Sequence, residues 1–392
     1  MEALFDHLWE DETQYYGKAP GDPNAYTLGM ICQHNVVLAY MPGMGKAASA
    51  SVTPSFRHSF PNIQLGLVVG VCGGAPYTSG GDEVLLGDVI ISTGLVQYDF
   101  GRHFSNKFVR RDTLVDNLGR PNPEIRGFLA KLQGLLGRRT LQRRLAAYLS
   151  EMSKLEGLES CGYPGWDHDQ LFPADYRHKH QSPSCQTCLR CTNPNDDICP
   201  EALESLCTAL GCQSSQAIQR ERIKKARNSD AGPEQTASVV QPAIHFGLVA
   251  SGDWVLKSGV HRDLITAKEH VIAFEMEGSG VWDNFPTVVI KGVCDYADSH
   301  KSKQWQPYAA AVAAACTKAF LKEWRSIDQA APTGEAIDTE NYGAWKSSDG
   351  QSSSSRKDLE DKFDDQRKVA RSANYYGSND SKHAGSSLHF EV

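Results

Sequence analysis

The order of apolar and polar positions along the chain predicts strands that alternate with helices. The predicted strands are Leu65–Val71, Val89–Thr93, Leu95–Phe100, His245–Ser251, Val271–Glu277 and Thr287–Cys294, and Leu65–Val71 (LGLVVGV) is apolar throughout. Runs without polar alternation are typical of strands whose two faces are both covered by helices. Helical spacing of apolar residues predicts helices over Pro123–Leu136, Thr140–Met152 and Pro307–Trp324. The pattern therefore predicts a three-layer α/β/α sandwich with a central mixed, mostly buried sheet.

The first sixty residues contain further elements. Apolar residues from Leu4 to Trp9 repeat at helical spacing and predict an amphipathic helix at the start of the chain. Tyr26–Cys32 and Val36–Met41 are predicted to pair as strands around a short turn. Gly43–Phe60 is rich in alanine and serine and predicts a helix, which Pro54 would kink or restart.

A change in composition divides the chain into a domain, an insert and a tail. We expect one domain over residues 1–328, interrupted at 157–241 by a polar, cysteine-containing insert with one helix at Glu201–Leu210. From 329 to 392 the chain consists largely of Ser, Asp, Lys and Gly. Such a segment buries too little apolar surface to offset its ordering entropy, which predicts a disordered tail.

Composition and charge exclude several classes of protein. The net charge of −7 over 392 residues argues against a nucleic-acid binder that depends on bulk positive charge. No apolar run reaches the length of a membrane span, and the acidic, amphipathic N-terminal segment is unlike a secretory signal. Eleven cysteines, an odd number, then favour reduced thiols and a cytoplasmic location over a disulfide framework.

Polar or glycine-rich segments follow four of the predicted strands. They are Gly70–Gly74, Ala250–Asp253, Phe274–Gly278 and Cys294–Asp298. Each segment alone is equally typical of a turn, a helix cap or exposed carboxylates beside a core methionine. In α/β sheets, however, ligands bind beyond the carboxyl ends of the strands. All four segments together therefore predict a binding site at that edge.

The same segments resemble a known family. FEMEG at 274–278, followed by KGVCDYAD at 291–298, resembles the paired signature of the nucleoside phosphorylase-I superfamily, which includes purine nucleoside phosphorylases and methylthioadenosine/adenosylhomocysteine nucleosidases. GVCGG at 70–74 and ASGD at 250–253 fall where that superfamily has its glycine loop and its base-site strand. APGDPNAYTLG, HNVVLAYMPGMGKA, VQYDFG, YPGWDHDQLFPADYRH and CDYADSHKSKQWQPYAAAVAAA resemble its fungal branch, often the N-terminal module of larger NACHT- or repeat-containing proteins. The likeness covers about residues 1–180 and 243–325.

This resemblance implies cleavage of the N-glycosidic bond of a purine nucleoside or adenine nucleotide. Asp295 matches the catalytic aspartate that protonates N7 of the departing base. Glu277 would bind the ribose hydroxyls, and Met276 would pack under the sugar. Trp254 is either a stacking partner for the base or a core tryptophan. The remaining predicted substrate-binding residues are Cys72, Gly73, Gly74, Ser251, Gly252, Asp253 and Glu275.

Other positions bear on the reaction. The apolar Val68 and Val71 stand where many phosphorylases bind phosphate, which favours hydrolysis, with phosphorolysis as the alternative. The substrate is thus expected with water or phosphate, without a cofactor, and a homo-oligomer is compatible with the family. The family's first strand, whose loop carries a glutamate, has no counterpart in this sequence. A catalytically impaired nucleoside-binding sensor module is therefore a second alternative.

Two groups of residues allow further interpretations. A basic segment after the VQYDFG motif could contact a substrate phosphate or simply be solvated; its residues are Arg102, His103, Lys107, Arg110 and Arg111. In the insert, Cys185, Cys188 and Cys191 lie near His178, His180 and Cys199. One cysteine pair with scattered partners falls short of two well-spaced zinc knuckles, so we predict reduced cysteines in a flexible loop and no metal.

Overall fold

One mixed sheet of nine strands organises the part of the chain that the structure describes. The structure is a computed structural model that describes residues 1–9, 17–193, 196–228, 241–325 and 386–391. The strands are β1 (His7–Leu8), β2 (Tyr26–Ile31), β3 (His34–Tyr40), β4 (Ile63–Gly74), β5 (Val89–Gln97), β6 (Gly101–Phe104), β7 (Lys107–Arg110), β8 (Ile244–Ser251), β9 (Val271–Glu275), β10 (Thr287–Asp295) and β11 (Ser386–Glu391). The helices are α1 (Lys46–Ser59), α2 (Pro123–Gln133), α3 (Leu135–Met152), α4 (Gln186–Arg190), α5 (Pro200–Glu204), α6 (Cys207–Leu210), α7 (Glu221–Asn228), α8 (Gly259–Glu269), α9 (Gly278–Val281) and α10 (Gln306–Glu323).

The sheet curls back on itself at one end. Its strand order is β1-β2-β3-β11-β4-β10-β5-β8-β9, and β6 and β7 form a separate hairpin. Strands β3, β11, β4 and β10 are parallel, whereas β10 and β5 are antiparallel. The end of the long strand β4 also pairs with β9, Gly73 opposite Phe274 and Gly74 opposite Ala273. This closure brings the glycine loop beside the carboxyl end of β9.

Helices cover both faces of the sheet. Along β4, Leu65, Leu67 and Val69 join a core cluster with apolar residues of α2, α3 and α10. Val68 and Cys72 point to the opposite face and join a cluster with residues of α1 and α9. This alternation on a largely buried strand confirms the predicted three-layer sandwich with a mixed central sheet. Gly292 of β10 lies so close to the backbone of Ala309 in α10 that a Cβ atom would collide with it.

The structure corrects the prediction for the start of the chain. Instead of an amphipathic helix, a single 3₁₀ turn at Glu2–Leu4 precedes the short strand β1. The backbone N–H groups of Asp6 and Trp9 donate hydrogen bonds to carbonyls of β2. The open edge of β2 thus supplies partners that a local periodicity does not reveal.

Two predicted strands are one strand, and one strand was not predicted. Val89–Thr93 and the first part of Leu95–Phe100 form the single strand β5, which ends at Gln97 and whose pairing with β8 shifts between Ser92 and Gly94. Most of the predicted tail lies outside the described residues, but Ser386–Glu391 forms β11, which pairs in parallel with both β3 and β4. These residues therefore differ from the predicted disorder, because the facing edges of two strands give this short segment backbone partners.

The insert is attached to the domain by buried polar contacts. Within its described part, short helices surround a small cluster formed by Cys188, Cys199, Ala202 and Leu210. The predicted helix at 201–210 consists of α5 and α6, separated by an extended break at Ser205 and Leu206. Arg220 donates to the carbonyls of Pro76 and Val84, and Asp169 accepts from the N–H of Leu86. Among all described residues, no helix combines the length and the apolar character that a membrane span requires.

Candidate active site

A cavity lies where strands β4, β9 and β10 end. Its volume is about 150 Å³. Seven of the predicted site residues line it: Cys72, Gly73, Trp254, Glu275, Met276, Glu277 and Asp295. Asp295 and Glu277 therefore face one cavity, as the sequence predicts for groups that contact one ligand. The cavity stands at the carboxyl ends of the strands, where α/β sheets bind ligands.

Asp295 ends strand β10 at an irregularity in the sheet. The pairing of β10 with β4 shifts between Val293 and Asp295, which places Asp295 opposite Gly73. The Oδ1 atom of Asp295 accepts a hydrogen bond from the N–H of Ala297 at 2.8 Å and lies 3.1 Å from the Nζ of Lys301. Ala297 has a left-handed φ of 51°. The tight turn after the strand thus holds the carboxyl group in place.

Asp295 also borders a second, larger cavity. This cavity has a volume of about 340 Å³, and Asp295 and Lys301 line both cavities. Its far wall comes from the insert, with Leu206, Cys207 and Thr208. The hydroxyl of Tyr296, on the same turn, donates to Asp169 of the insert at 2.7 Å. Burial raises the pKa of Asp169 to about 6, against the opposing hydrogen bond from Tyr296.

Glu277 belongs to a buried triad of charged residues. The Nζ of Lys291 lies 2.8 Å from the Oε2 of Glu277 and 3.8 Å from the Oε2 of Glu275. Burial works against ionisation of Glu277, yet the ammonium group of Lys291 outweighs it and lowers the pKa of Glu277. Burial raises the pKa of Glu275, despite the same cation. One carboxylate and one ammonium group therefore form a neutral pair, beside a carboxyl group that retains its proton more readily.

The second carboxyl oxygen of Glu277 faces the start of α1. Its Oε1 accepts one hydrogen bond, from the N–H of Gly45 at 3.3 Å. Gly45 adopts φ of 101°, a conformation that glycine favours, and Met44 beside it lines the cavity. A carboxylate oxygen has room for a further donor, so Glu277 is able to bind a ligand hydroxyl.

Trp254 lies at the mouth of the cavity. It is 45% exposed, which does not fit a core tryptophan. Its ring contacts Tyr98 and Phe108 edge to face, with centroid distances of 6.0 and 5.5 Å. Phe108 comes from the β6–β7 hairpin, so this hairpin supports the side chain that would cover a bound base. Stacking on a base stays a prediction.

Four predicted residues do not line this cavity. Gly74 packs against Val84 and Val293, and the Oγ of Ser251 accepts from the N–H of Ser279. Gly252 lies against Tyr98 and Asp99. The carboxylate of Asp253 accepts from the N–H of Lys46 at 2.8 Å, which satisfies an orphan donor at the start of α1. These four residues therefore pack against other parts of the fold, and a contact of theirs with substrate stays a prediction.

The basic segment that follows the VQYDFG motif does not reach the cavity either. Arg110 makes a bidentate pair with Glu269, at 3.0 and 2.8 Å. Arg111 binds Asp116 at 3.1 Å. None of the five basic residues of this segment is among the described residues that line the cavity. The solvated interpretation of this segment therefore fits the structure better than a phosphate-binding role.

Sequence reasoning missed Lys291 and Lys301. A signal for Lys291 existed, because a lysine within the apolar run TVVIKGVCD has to find a buried partner. The loop of Met44 and Gly45 was also missed. The predicted helix over Gly43–Phe60 included these two residues, whereas α1 begins at Lys46.

Comparison with known proteins gives one relative and several solved structures. No family model matches the chain. It is 32% identical over 306 residues to a nucleotide-binding leucine-rich repeat (NLR)-like protein of Hyaloscypha variabilis, a match that covers 76% of this chain and 26% of that protein. The chain thus spans about a quarter of the length of this curated relative.

The solved structures are nucleosidases and a hydrolase of low sequence identity. The 5'-methylthioadenosine/S-adenosylhomocysteine nucleosidase of Neisseria meningitidis is 15% identical, with a TM-score of 0.39, over 82% of this chain and 93% of that one. The MTA/SAH nucleosidase of Streptococcus pneumoniae is 17% identical, with the same TM-score and coverage. Futalosine hydrolase of Helicobacter pylori is 16% identical, with a TM-score of 0.38, over 80% and 94%. Identities and TM-scores this low say nothing about the activity of this chain.

The chain is an α/β sandwich with a cavity at the carboxyl ends of its strands. In its motifs it resembles the nucleoside phosphorylase-I superfamily, whose fungal branch the NLR-like relative fits.

Proposed function

We propose that this chain binds a purine nucleoside or adenine nucleotide in the cavity and hydrolyses its N-glycosidic bond. The observation that carries the proposal is that Asp295 and Glu277 line one cavity, with Met276 beside them and Trp254 at its mouth. Cleavage of this bond develops negative charge on the base and positive charge on the sugar. In a site with two separately held carboxyl groups, one protonates the departing base and the other stabilises the positive charge on the sugar.

Asp295 is the proposed acid and Glu277 the proposed ribose ligand. Protonation of N7 makes the purine a better leaving group, and Asp295 lies at the cavity wall with its Oδ1 fixed by Ala297. Burial alone would raise the pKa of Glu277, but the ammonium group of Lys291 outweighs it. The pKa of Glu277 is therefore lowered, and the group stays charged. A permanent carboxylate accepts hydrogen bonds from ribose hydroxyls and favours the developing cation on the sugar.

The lining of the cavity supports water rather than phosphate as the nucleophile. Phosphate is bound best by bidentate arginine, and no arginine is among the described residues that line this cavity. The apolar Val71 lines it, and the cation Lys301 already pairs with Asp295 at 3.1 Å. Phosphorolysis is therefore the less favoured reaction.

A second candidate function is nucleoside binding without turnover. The contact of 3.1 Å between the Nζ of Lys301 and the Oδ1 of Asp295 favours it, because the ammonium group occupies one oxygen of the proposed acid. A ligand would then have to move Lys301 away before the reaction could proceed. Ligand binding without cleavage would suit a sensor module.

Incubation of the full chain with adenosine, inosine and ATP tests these proposals. We expect chromatography to show free base and free sugar, formed at the same rate with and without inorganic phosphate. A requirement for phosphate, with ribose 1-phosphate as product, would contradict hydrolysis. A rise in the melting temperature with nucleoside, without released base, would support the binding module over the enzyme. Neither release nor stabilisation would exclude both.

Gly73→Ala should disturb the proposed acid directly. A Cβ atom at Gly73 would lie 2.9 Å from the Oδ1 of Asp295 and 2.9 Å from the Cβ of Ala297, closer than packed atoms allow. Displacement of a catalytic group by about 1 Å costs on the order of 100-fold in rate, so we expect base release to fall at least 10-fold. Gly127→Ala in α2 is the control, since no heavy atom lies within 4 Å of its Cβ position. Equal rates of base release for the two variants would show that the close approach of Gly73 to Asp295 is not required for the reaction.

A further inference from the structure

The insert brings four potential metal ligands together. These are His180, Cys185, Cys188 and Cys199, and their ligand atoms all lie within 4.8 Å of one another. The sequence predicted reduced cysteines in a flexible loop at this place. In the structure, Cys188 is completely buried and Cys199 is 9% exposed, so these thiols are part of an ordered cluster.

The distances within the cluster fit a tetrahedral zinc ion. Zinc binds sulfur at about 2.3 Å and nitrogen at about 2.0 Å, so two sulfurs of a tetrahedron lie about 3.8 Å apart and a sulfur and a nitrogen about 3.5 Å apart. The Sγ atoms of Cys188 and Cys199 are 3.7 Å apart. The Nδ1 of His180 lies 3.6 Å from the first and 3.4 Å from the second. The side chains are already spaced for a shared ion at their centre.

The chain around the cluster has the features of a zinc knuckle. Cys185 and Cys188 are separated by two residues and stand at the start of the short helix α4. Lys179 donates from its Nζ to the carbonyls of Cys188 and Cys191, which holds the knuckle and places a positive charge beside the thiols. The other ring nitrogen of His180, Nε2, faces the carboxylate of Glu201 at 3.9 Å. A carboxylate behind a histidine ligand commonly orients the ring.

The insert also lacks an apolar core large enough to hold its short helices together. Its own apolar cluster consists of Cys188, Cys199, Ala202 and Leu210, too few residues for a core that would keep short helices folded. A structural zinc ion supplies folding free energy to small elements of this kind. We propose that His180, Cys185, Cys188 and Cys199 bind one Zn²⁺ ion, which holds the short helices α4 and α5 of the insert together.

The third cysteine of the C-x₂-C-x₂-C run lies outside the proposed site. The Sγ of Cys191 points to the carbonyl oxygen of Asp196 at 3.7 Å. Cys191 is 2% exposed and Cys199 is 9% exposed, so replacement of Cys191 is a matched control for the loss of one buried thiol. A neighbouring group, His178 with Cys207 and Cys212, offers three ligand atoms, one fewer than a closed structural site uses.

Metal analysis of the full chain, purified under reducing conditions and desalted after mild chelation, tests the proposal. We expect about one zinc ion per chain in the wild type and in Cys191→Ser, and loss of about one equivalent in Cys199→Ser. Absence of stoichiometric zinc from the wild type, even after zinc is supplied, would overturn the site. So would zinc loss in Cys191→Ser with zinc retained in Cys199→Ser.

X-ray absorption spectroscopy of the wild type keeps the test independent of variant folding. The expected first shell contains three sulfurs at about 2.3 Å and one nitrogen at about 2.0 Å. A shell with two sulfurs, one nitrogen and a solvent oxygen would place the metal at the group of His178, Cys207 and Cys212 and contradict the proposal. None of these measurements depends on nucleoside cleavage, so failure of the proposed function would leave the result unaffected.

Discussion

Asp295→Asn is expected to reduce base release from a cleaved nucleoside about 100-fold or more, while nucleoside binding persists. Loss of a general acid typically costs a factor of about 10² to 10⁴. Asparagine keeps the carbonyl oxygen that accepts from the N–H of Ala297, so the turn after β10 should retain its shape. The amide cannot deliver a proton to the purine. The expected change is therefore in kcat, with little change in KM.

Single-turnover kinetics and nucleoside-dependent melting would measure the two effects separately. Asp283→Asn is a suitable control because Asp283 is exposed, lies beyond α9 and is not among the residues that line the cavity. It should behave as the wild type. A near-wild-type rate for Asp295→Asn would remove Asp295 from the acid role. Loss of binding together with rate would indicate that Asp295 holds the ligand rather than protonates it.

The second large effect is on stability, in the variants Glu277→Gln and Glu275→Gln. Glu277→Gln leaves the ammonium group of Lys291, which is 1% exposed, without its partner at 2.8 Å. Removal of one member of a buried pair costs about 3–5 kcal/mol of the free energy of unfolding. Glu275→Gln should cost less, about 1–3 kcal/mol, because Lys291 keeps Glu277 at 2.8 Å, and the cost is that of one oxygen that accepts from the N–H groups of Glu277 and Gly278.

Urea unfolding at neutral pH measures both variants, each serving as the control of the other. The pH dependence gives a further check. Because Lys291 outweighs burial and lowers the pKa of Glu277 below the usual 4.5, its contribution to stability is present above that value and is lost as the pH falls through the folded-state pKa. Glu277→Gln should lose this acid limb of the stability profile. A larger destabilisation by Glu275→Gln than by Glu277→Gln would contradict the assigned charges.

The position of the candidate site could be predicted from the sequence, but its network could not. Asp295, Glu277 and Met276 follow buried strands and match known motifs, and the structure brings them to one cavity. The partner of Glu277 is Lys291, fourteen residues away on the neighbouring element β10. A lysine in an apolar run predicts that the lysine has some buried partner. Which carboxylate it meets depends on strand β4, which pairs with both β10 and β9.

The cysteines of the insert give the same lesson. The sequence shows a run of three evenly spaced cysteines, which suggests that Cys185, Cys188 and Cys191 act together. The structure instead groups two of them with Cys199 and His180, while Cys191 turns to a backbone carbonyl. Spacing fixes only which cysteines are able to meet. The packing of α4 against the start of α5 selects those that do.

The three-layer architecture follows from the sequence, since burial on both faces of a strand and one face of a helix leaves a local periodic record. The polar residues that follow the strands can also be identified from the sequence. The closure of β4 on β9, the place of β11 between β3 and β4, and the strand at the N-terminus were decided in three dimensions. Each of these depends on backbone groups that gain partners from distant parts of the chain. Local periodicity carries no information about which distant strand edge supplies them.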